Sequence, residues 1–138
     1  MSQTPLAQSA DRSVLFHRLG LSEQNPNDQA IHRLMLEEAS RGRDRLSSNN
    51  ANLTVYSMTV VNPVPPYKWD QLSETAKHRE ILDIVRAASP QTRRYYDMGR
   101  YITQVNEENW VVRWYLWHSF RYRDNRDNRN RSNGNGGT

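Results

Sequence analysis

The chain of 138 residues contains no cysteine. Disulfide bonds, thiolate nucleophiles and cysteine-ligated metal sites are therefore excluded. Because a chain without cysteine is compatible with a reducing compartment, we expect an intracellular protein of the cytoplasm or the nucleus.

Long apolar runs are also missing. The longest nearly unbroken one lies around residues 110–117 and is far shorter than the roughly 20 residues that span a bilayer. Residues 1–13 have neither the basic start nor the apolar centre of a secretion signal. We therefore predict a protein that has no membrane partner.

Recognisable catalytic patterns are absent as well. The sequence has no glycine-rich phosphate loop, no HExxH zinc motif, no GxSxG nucleophile motif and no EF-hand loop. The four histidines fall one to each predicted helix, and no pair of them has the spacing of metal ligands. We predict a protein that is not an enzyme and that uses neither a cofactor nor a metal. The histidines are His17, His32, His78 and His118.

Apolar residues make up only 36% of the chain, and its mean hydropathy is -0.97. Part of the sequence therefore lies outside a packed core. The two ends of the chain are its most polar parts. We therefore predict a flexible N-terminus over residues 1–10 and a disordered Arg/Asn-rich tail over residues 124–138.

Between these ends, helical patterns predominate. We predict a mainly α fold, a small bundle of about five helices with one isolated extended or strand segment and disordered termini. Residues 11–62 form an N-terminal helical segment plus the strand-like stretch, with a helix from about 28 to 45. A proline-rich connector follows at 63–67, and residues 68–123 form a module of three aromatic-rich helices.

The strand-like stretch is residues 53–61, LTVYSMTVV, which is rich in β-branched side chains. The sequence offers no second strand to pair with it. Three arrangements remain open: pairing with another copy, an edge contact, or an extended stretch that packs on helices.

Two patterns predict the last two helices of the module at residues 68–123. Tyr95, Met98, Ile102 and Val105 have helical spacing after the Ser89-Pro90 start signal. Residues 106–108 would then cap the last helix, because their two acidic side chains suit a helix N-terminus.

The last helix carries three of the four tryptophans, at i, i+4 and i+7. This spacing places Trp110, Trp114 and Trp117 on one face. Such a stripe is usually core packing, but aromatic residues and arginine are also enriched at interfaces. If the stripe serves binding, the partner contacts are Trp110, Trp114, Trp117 and Tyr122.

The formal excess of four positive charges can be placed entirely in the last thirty residues, where six arginines face two aspartates. A basic terminus of this kind suits a polyanion. The nucleic-acid contacts would be Arg113, Arg121, Arg123, Arg126, Arg129 and Arg131.

Two functions follow from these patterns. The first is a non-catalytic interaction or regulatory protein, whose aromatic C-terminal helix binds a protein partner or a second copy in a homo-oligomer. The alternative is a small helical nucleic-acid-binding protein whose arginine tail contacts phosphate. The nearly all-apolar surface of the last helix favours the protein partner, because a recognition helix needs a polar face.

Overall fold

The computed structural model describes the backbone of residues 4–136 and the side chains of residues 4–125. Within that part the chain forms five α-helices and one antiparallel hairpin, which confirms the mainly α prediction. The helices are α1 (Arg12–Leu19), α2 (Pro26–Ser47), α3 (Glu74–Ala87), α4 (Pro90–Met98) and α5 (Trp110–Gly136). The strands are β1 (Arg100–Ile102) and β2 (Glu107–Asn109).

Helix α2 begins at Pro26, close to the predicted start at about 28. The side chain of Asn25 accepts hydrogen bonds from the backbone N–H groups of Asn27 and Asp28, and Pro26 occupies the first helical position. On the side of α2 that faces the core, Met35 and Ala39 are fully buried. The helix packs along α5, and this pair is the most extensive contact between elements in the described chain.

Helix α5 lies at the centre of the molecule and contacts α2, α3 and α4. Its apolar side chains point in every direction, and most of them meet another part of the same chain. A helix that is apolar on all sides must be buried on all sides. Here the other elements of the same chain bury most of the apolar side chains of α5. The fully or almost fully buried apolar residues of α5 are Trp110, Val111, Val112, Trp114, Tyr115, Leu116 and Phe120.

The strand predicted at residues 53–61 is wrong. Leu53 makes a single β-bridge to Leu72, and the residues after it form a short π-helix at Ser57–Val61. Thr54 stabilises the start of this helical segment, because its Oγ1 accepts a hydrogen bond from the backbone N–H of Ser57 at 3.0 Å. The β-branched composition is overridden because no strand of the described chain lies alongside to pair with it.

The helix predicted after Pro90 is shorter than expected. It ends at Met98, and Ile102 and Val105 lie exposed on the β1–β2 hairpin instead of continuing a helical face. The break follows from close packing at Gly99, where an added Cβ would lie 2.6 Å from the backbone nitrogen of Val111. The end of α4 can therefore approach the start of α5 only at a glycine.

Residues 106–108, predicted to cap the last helix, belong to the hairpin and to β2. Asn109 provides the helix cap instead. Its Oδ1 accepts from the backbone N–H of Val112 at 3.1 Å, and its side-chain amide donates to the carbonyl of Tyr96 at 2.8 Å. One buried side chain thus fixes both the start of α5 and the end of α4.

The described part of the predicted flexible N-terminus, residues 4–10, has no helix or strand but lies against α5. The indole N–H of Trp114 donates to the carbonyl of Ala10 at 2.9 Å, and Nε2 of His118 donates to the carbonyl of Gln8 at 3.0 Å. These two bonds tie the segment to the central helix.

The backbone of α5 continues to Gly136, whereas the side chains of residues 126–138 lie outside the described part of the chain. The prediction of a disordered tail over residues 124–138 stays a prediction. Among the described helices, none has a stretch that is both long and apolar enough to cross a bilayer.

Candidate interaction surface

The structure places two of the four predicted partner contacts inside the chain's own core. The side chain of Trp114 is 0% exposed, and Trp110 is almost completely buried. Neither ring is available to a partner of the folded chain, so both are withdrawn from the predicted binding surface. The ring of Trp114 lies beside His32 of α2, whose imidazole in turn contacts Phe16 of α1, and both tryptophans belong to the same hydrophobic core.

The other two aromatic residues do reach the surface. Trp117 is half-buried, and Tyr122 is 43% exposed. The guanidinium of Arg121 lies 4.9 Å from the centre of a Trp117 ring, within the range of a cation–π contact. Beside them is a cleft of about 220 Å³, lined by Lys68, Trp69, Asp70, Trp117, Phe120, Arg121 and Asp124. The lining of this cleft therefore combines two cationic side chains and two carboxylates with three aromatic rings.

Two of the predicted nucleic-acid contacts are occupied within the fold. Arg113 bonds to Glu74 at 3.1 Å and to the side chain of Gln8 at 3.0 Å. Arg123 donates to the carbonyl of Tyr67 at 2.9 Å and to the hydroxyl of Ser47 at 3.2 Å. Arg121 remains exposed, whereas the side chains of Arg126, Arg129 and Arg131 lie outside the described residues.

The largest group of exposed apolar side chains in the described part of the chain lies in the segment predicted to be a strand, 53–61, and in the proline-rich connector that follows it. Val55 is 78% exposed and Val64 is 80% exposed, and four large side chains between them also face solvent. We call residues 55–64 the apolar loop; its exposed side chains are Val55, Tyr56, Met58, Val60, Val61 and Val64. Single apolar residues scattered over a surface are ordinary, whereas a group of exposed apolar side chains on one segment makes that segment a candidate interaction site.

The apolar loop is held firmly at both ends. On its N-terminal side, the N–H of Thr54 donates to the carbonyl of Gln71 at 2.9 Å beside the bridge between Leu53 and Leu72. On its C-terminal side, the N–H of Tyr67 donates to the carbonyl of Ser47 at 2.7 Å. The side chains of Leu53, Tyr67 and Leu72 are buried, so the residues that anchor the exposed loop belong to the hydrophobic core.

A sequence signal for this loop does exist in the pattern of charge. No charged side chain occurs in residues 46–67, although charged residues make up 25% of the whole chain. The strand predicted at 53–61 rests on β-branched composition and takes no account of this missing charge.

The buried polar groups form a separate set. Nδ1 of His32 lies 2.7 Å from the hydroxyl oxygen of Tyr115, and the hydroxyl of Tyr96 donates to Glu38 at 2.7 Å. Burial, with the positive charges of Arg12, His118 and Arg33, lowers the pKa of His32 to about 4. Burial and the neighbouring carboxylate of Glu38 raise the pKa of Tyr96.

These groups satisfy one another inside the core, so their evident role is to fix how α2, α4 and α5 pack. Among the described side chains, no three histidine, aspartate or glutamate residues come together as a metal site would require. Every buried polar side-chain atom in the same part of the chain has a hydrogen-bond partner.

The chain matches no protein-family model, and no curated protein or solved structure is detectably similar to it.

Proposed function

We propose that this chain is a non-catalytic interaction or regulatory protein, and that it binds a protein partner through the apolar loop. The exposure of six large apolar side chains on one short, anchored segment carries the proposal. Removing such surface from water contributes about 25 cal/mol for each Å² of apolar area buried, and the entropy lost on association opposes this contribution. An intracellular location, which the absence of cysteine favours, is part of the same proposal.

The way the loop is anchored supports this function. A segment whose ends are hydrogen-bonded to the core loses less conformational freedom on binding than a free chain does. Tyr56 and Met58 add side chains suited to an interface, because tyrosine carries a large apolar ring with a polar tip and methionine adapts to irregular surfaces.

The C-terminal helix contributes beside the loop rather than through its tryptophan stripe. Tyr67 ends the uncharged run and accepts from Arg123 of α5, and Trp69 contacts the ring of Phe120 at 5.4 Å between ring centres. The cleft next to Trp117 therefore adjoins the C-terminal anchor of the loop. We propose that Trp117 and Tyr122 extend the binding surface on this side.

A photo-crosslinking amino acid placed at position 56 tests this assignment in the cells that make the protein. We expect Tyr56→benzoylphenylalanine to give one covalent adduct of defined mass on irradiation. The matched control is Ile102→benzoylphenylalanine, because Ile102 is also an exposed apolar residue but lies on the β1–β2 hairpin.

A third variant, Tyr122→benzoylphenylalanine, separates the two surfaces. Adducts at position 122 without any at position 56 would return the site to the C-terminal helix. Equal adducts at positions 56 and 102, or none at any of the three, would contradict the proposal.

Nucleic-acid binding remains the alternative proposal, supported by the placement of the net positive charge in the last thirty residues. It rests on Arg121 and on the three arginines that follow Asn125, because Arg113 and Arg123 are engaged within the fold. If it is correct, affinity for duplex DNA falls between 50 and 200 mM salt by about 10²-fold, as expected for phosphate contacts from the four remaining arginines. Changing Arg121, Arg126, Arg129 and Arg131 together to glutamine should then abolish binding, whereas Arg33→Gln should leave it unchanged.

A further inference from the structure

Residues 4–10, which we call the N-terminal strap, lie against α5 without forming a helix or a strand. The strap makes one turn, in which the backbone N–H of Ala10 donates to the carbonyl of Ala7 at 3.0 Å. Leu6, Gln8 and Ala10 are half-buried, whereas Ala7 and Ser9 between them are exposed. Alternate residues of the strap therefore face the rest of the chain, and none of its residues is fully buried.

Three neighbouring side chains of α5 hold the strap. The indole N–H of Trp114 donates to the carbonyl of Ala10 at 2.9 Å, and the imidazole of His118 donates to the carbonyl of Gln8 at 3.0 Å. The Nε of Arg113 donates to the side-chain oxygen of Gln8, also at 3.0 Å. Because all three donors converge on residues 8–10, they form one site for a short peptide. We call Arg113, Trp114 and His118 the strap site.

The strap site recognises hydrogen-bond acceptors rather than charge. Two of its three bonds go to main-chain carbonyls, which every peptide has, and the third goes to a neutral amide. Residues 4–10 carry no charged side chain. Since a buried donor without an acceptor is destabilising, a molecule that replaces the strap must present carbonyls to Trp114 and His118. An uncharged peptide segment has this chemistry.

The attachment of the strap allows it to leave while the remaining fold stays intact. Within the described chain, the strap makes no backbone-to-backbone hydrogen bond to another element, and its first residue is held only by the Arg18 guanidinium at the carbonyl of Thr4. Helix α1 begins at Arg12, so removal of the strap unwinds no helix. Segments with few buried contacts open at a lower free energy than the core does.

The rings around His118 give a competing peptide additional contacts. The imidazole stacks on Trp114 with ring centres 3.7 Å apart, and the rings of Trp117 and Tyr122 lie 4.9 and 6.1 Å from it. Trp117 and Tyr122 both reach the surface. A peptide longer than the strap can therefore bind the three donors and also cover these two rings.

We propose that the strap site binds an uncharged peptide segment of a partner protein, and that residues 4–10 occupy this site as an internal ligand until the peptide displaces them. The inference goes beyond the proposed function, because the residues that carry it lie outside the apolar loop.

Hydrogen exchange in the wild-type chain, measured by NMR, tests whether the strap opens by itself. The indole N–H of Trp114 is the reporter, because its acceptor is the carbonyl of Ala10. The backbone N–H of Leu116, a fully buried residue of α5, is the control. We expect a protection factor for the indole that is lower by about 100-fold or more, as for local opening. Equal protection factors would mean that the strap opens only when the whole chain unfolds, and would overturn the proposal.

A labelled peptide of residues 4–10, TPLAQSA, tests the site by fluorescence anisotropy with the full chain. Leu6→Ser combined with Gln8→Ala weakens the chain's own strap. We expect the peptide to bind this strap variant about tenfold or more tightly than the wild type, because an occupied site lowers the apparent affinity by the fraction of chains that are open. The matched control is the peptide with the same two changes, which should bind the strap variant more weakly.

A third change places the peptide at the strap site. His118→Phe keeps an aromatic ring beside Trp114 but removes the N–H that donates to the strap. Added to the strap variant, it should weaken peptide binding about tenfold, as expected when a carbonyl loses its donor. Circular dichroism checks that each variant keeps the helical fold.

Four results would overturn the proposal. Equal affinity of the peptide for the wild type and the strap variant would show that the strap does not compete for the site. The absence of binding to either would show that the site does not take a separate peptide. Binding that His118→Phe leaves unchanged would place the peptide elsewhere. Loss of the helical fold in the strap variant would make the strap an essential part of the core.

Discussion

Replacing Trp114 with alanine should lower the free energy of unfolding by about 3–5 kcal/mol. The indole is completely buried, stacks on His118 with ring centres 3.7 Å apart, and meets the ring of Tyr115 edge-on. Its removal leaves a cavity at the centre of α5 that rigid neighbouring helices cannot fill. It also removes the N–H that holds the carbonyl of Ala10, so residues 4–10 should lose one of the bonds that attach them to the core.

Urea denaturation followed by circular dichroism measures this loss. Trp117→Ala is the matched control, because it removes the same side chain one turn further along the helix, where the ring is half exposed. We expect a clearly smaller loss for the control. Equal losses for the two variants would mean that burial does not distinguish the rings and that the core described for α5 is incorrect.

The contrast between Trp114 and Val55 shows where sequence reasoning about the site stops. Both residues are apolar and both lie in apolar stretches, yet one is fully buried and the other is 78% exposed. Helical spacing assigns tryptophans to a common face, but it does not say whether that face meets the same chain or a partner. The packing of α1 and α2 against α5 decides this, and such long-range contacts are not encoded in any local window.

The fold could be predicted best where local signals act alone. Helix α2 was expected over residues 28–45 and runs from Pro26 to Ser47, because the Asn25 cap and the apolar spacing agree. The region after α4 was mispredicted because Ile102 and Val105 have helical spacing by coincidence. A tertiary constraint, the close approach of Gly99 to Val111, ends the helix before them.

The segment at 53–61 was mispredicted for a different reason. Its β-branched side chains favour a strand, but a strand is stable only beside another one. The hydrogen bonds that Thr54 makes with Ser57 favour the short helical segment instead, and the apolar side chains of this segment remain exposed to solvent. The feature that local propensity describes worst is therefore the one on which the proposed function depends.

Lowering the pH from 7 to about 4.5 should destabilise the folded chain through His32. An unfolded histidine takes up a proton near pH 6.5, whereas burial holds the pKa of His32 at about 4 in the fold. Below pH 6.5 the unfolded state therefore binds more protons than the folded state, so the free energy of unfolding decreases as the pH falls. This decrease ends near pH 4, where His32 is protonated in the folded state too. The difference between the two pKa values corresponds to roughly 3 kcal/mol in total.

The effect belongs to this residue because a proton on His32 would place a charge among aromatic rings and near other cations. Phe16, Trp114 and Tyr115 contact the imidazole, while Arg12, Arg33 and His118 supply positive charge. Burial also lowers the pKa of His118, which adds a loss of the same sign. A single variant is therefore needed to isolate the share of His32.

His32→Gln should be less stable than the wild type at pH 7 but should lose less stability on acidification, because no proton is taken up at this position. The exposed His17 provides the control, since His17→Gln should keep the pH dependence of the wild type. Denaturant titrations at pH 7, 6, 5 and 4.5 measure the slopes, and proton NMR of the imidazole C–H groups measures the pKa of His32 directly. A pKa near 6.5, or equal slopes for the two variants, would show that the aromatic cluster between α2 and α5 tolerates a charged imidazole and is less tightly closed to water than its geometry indicates.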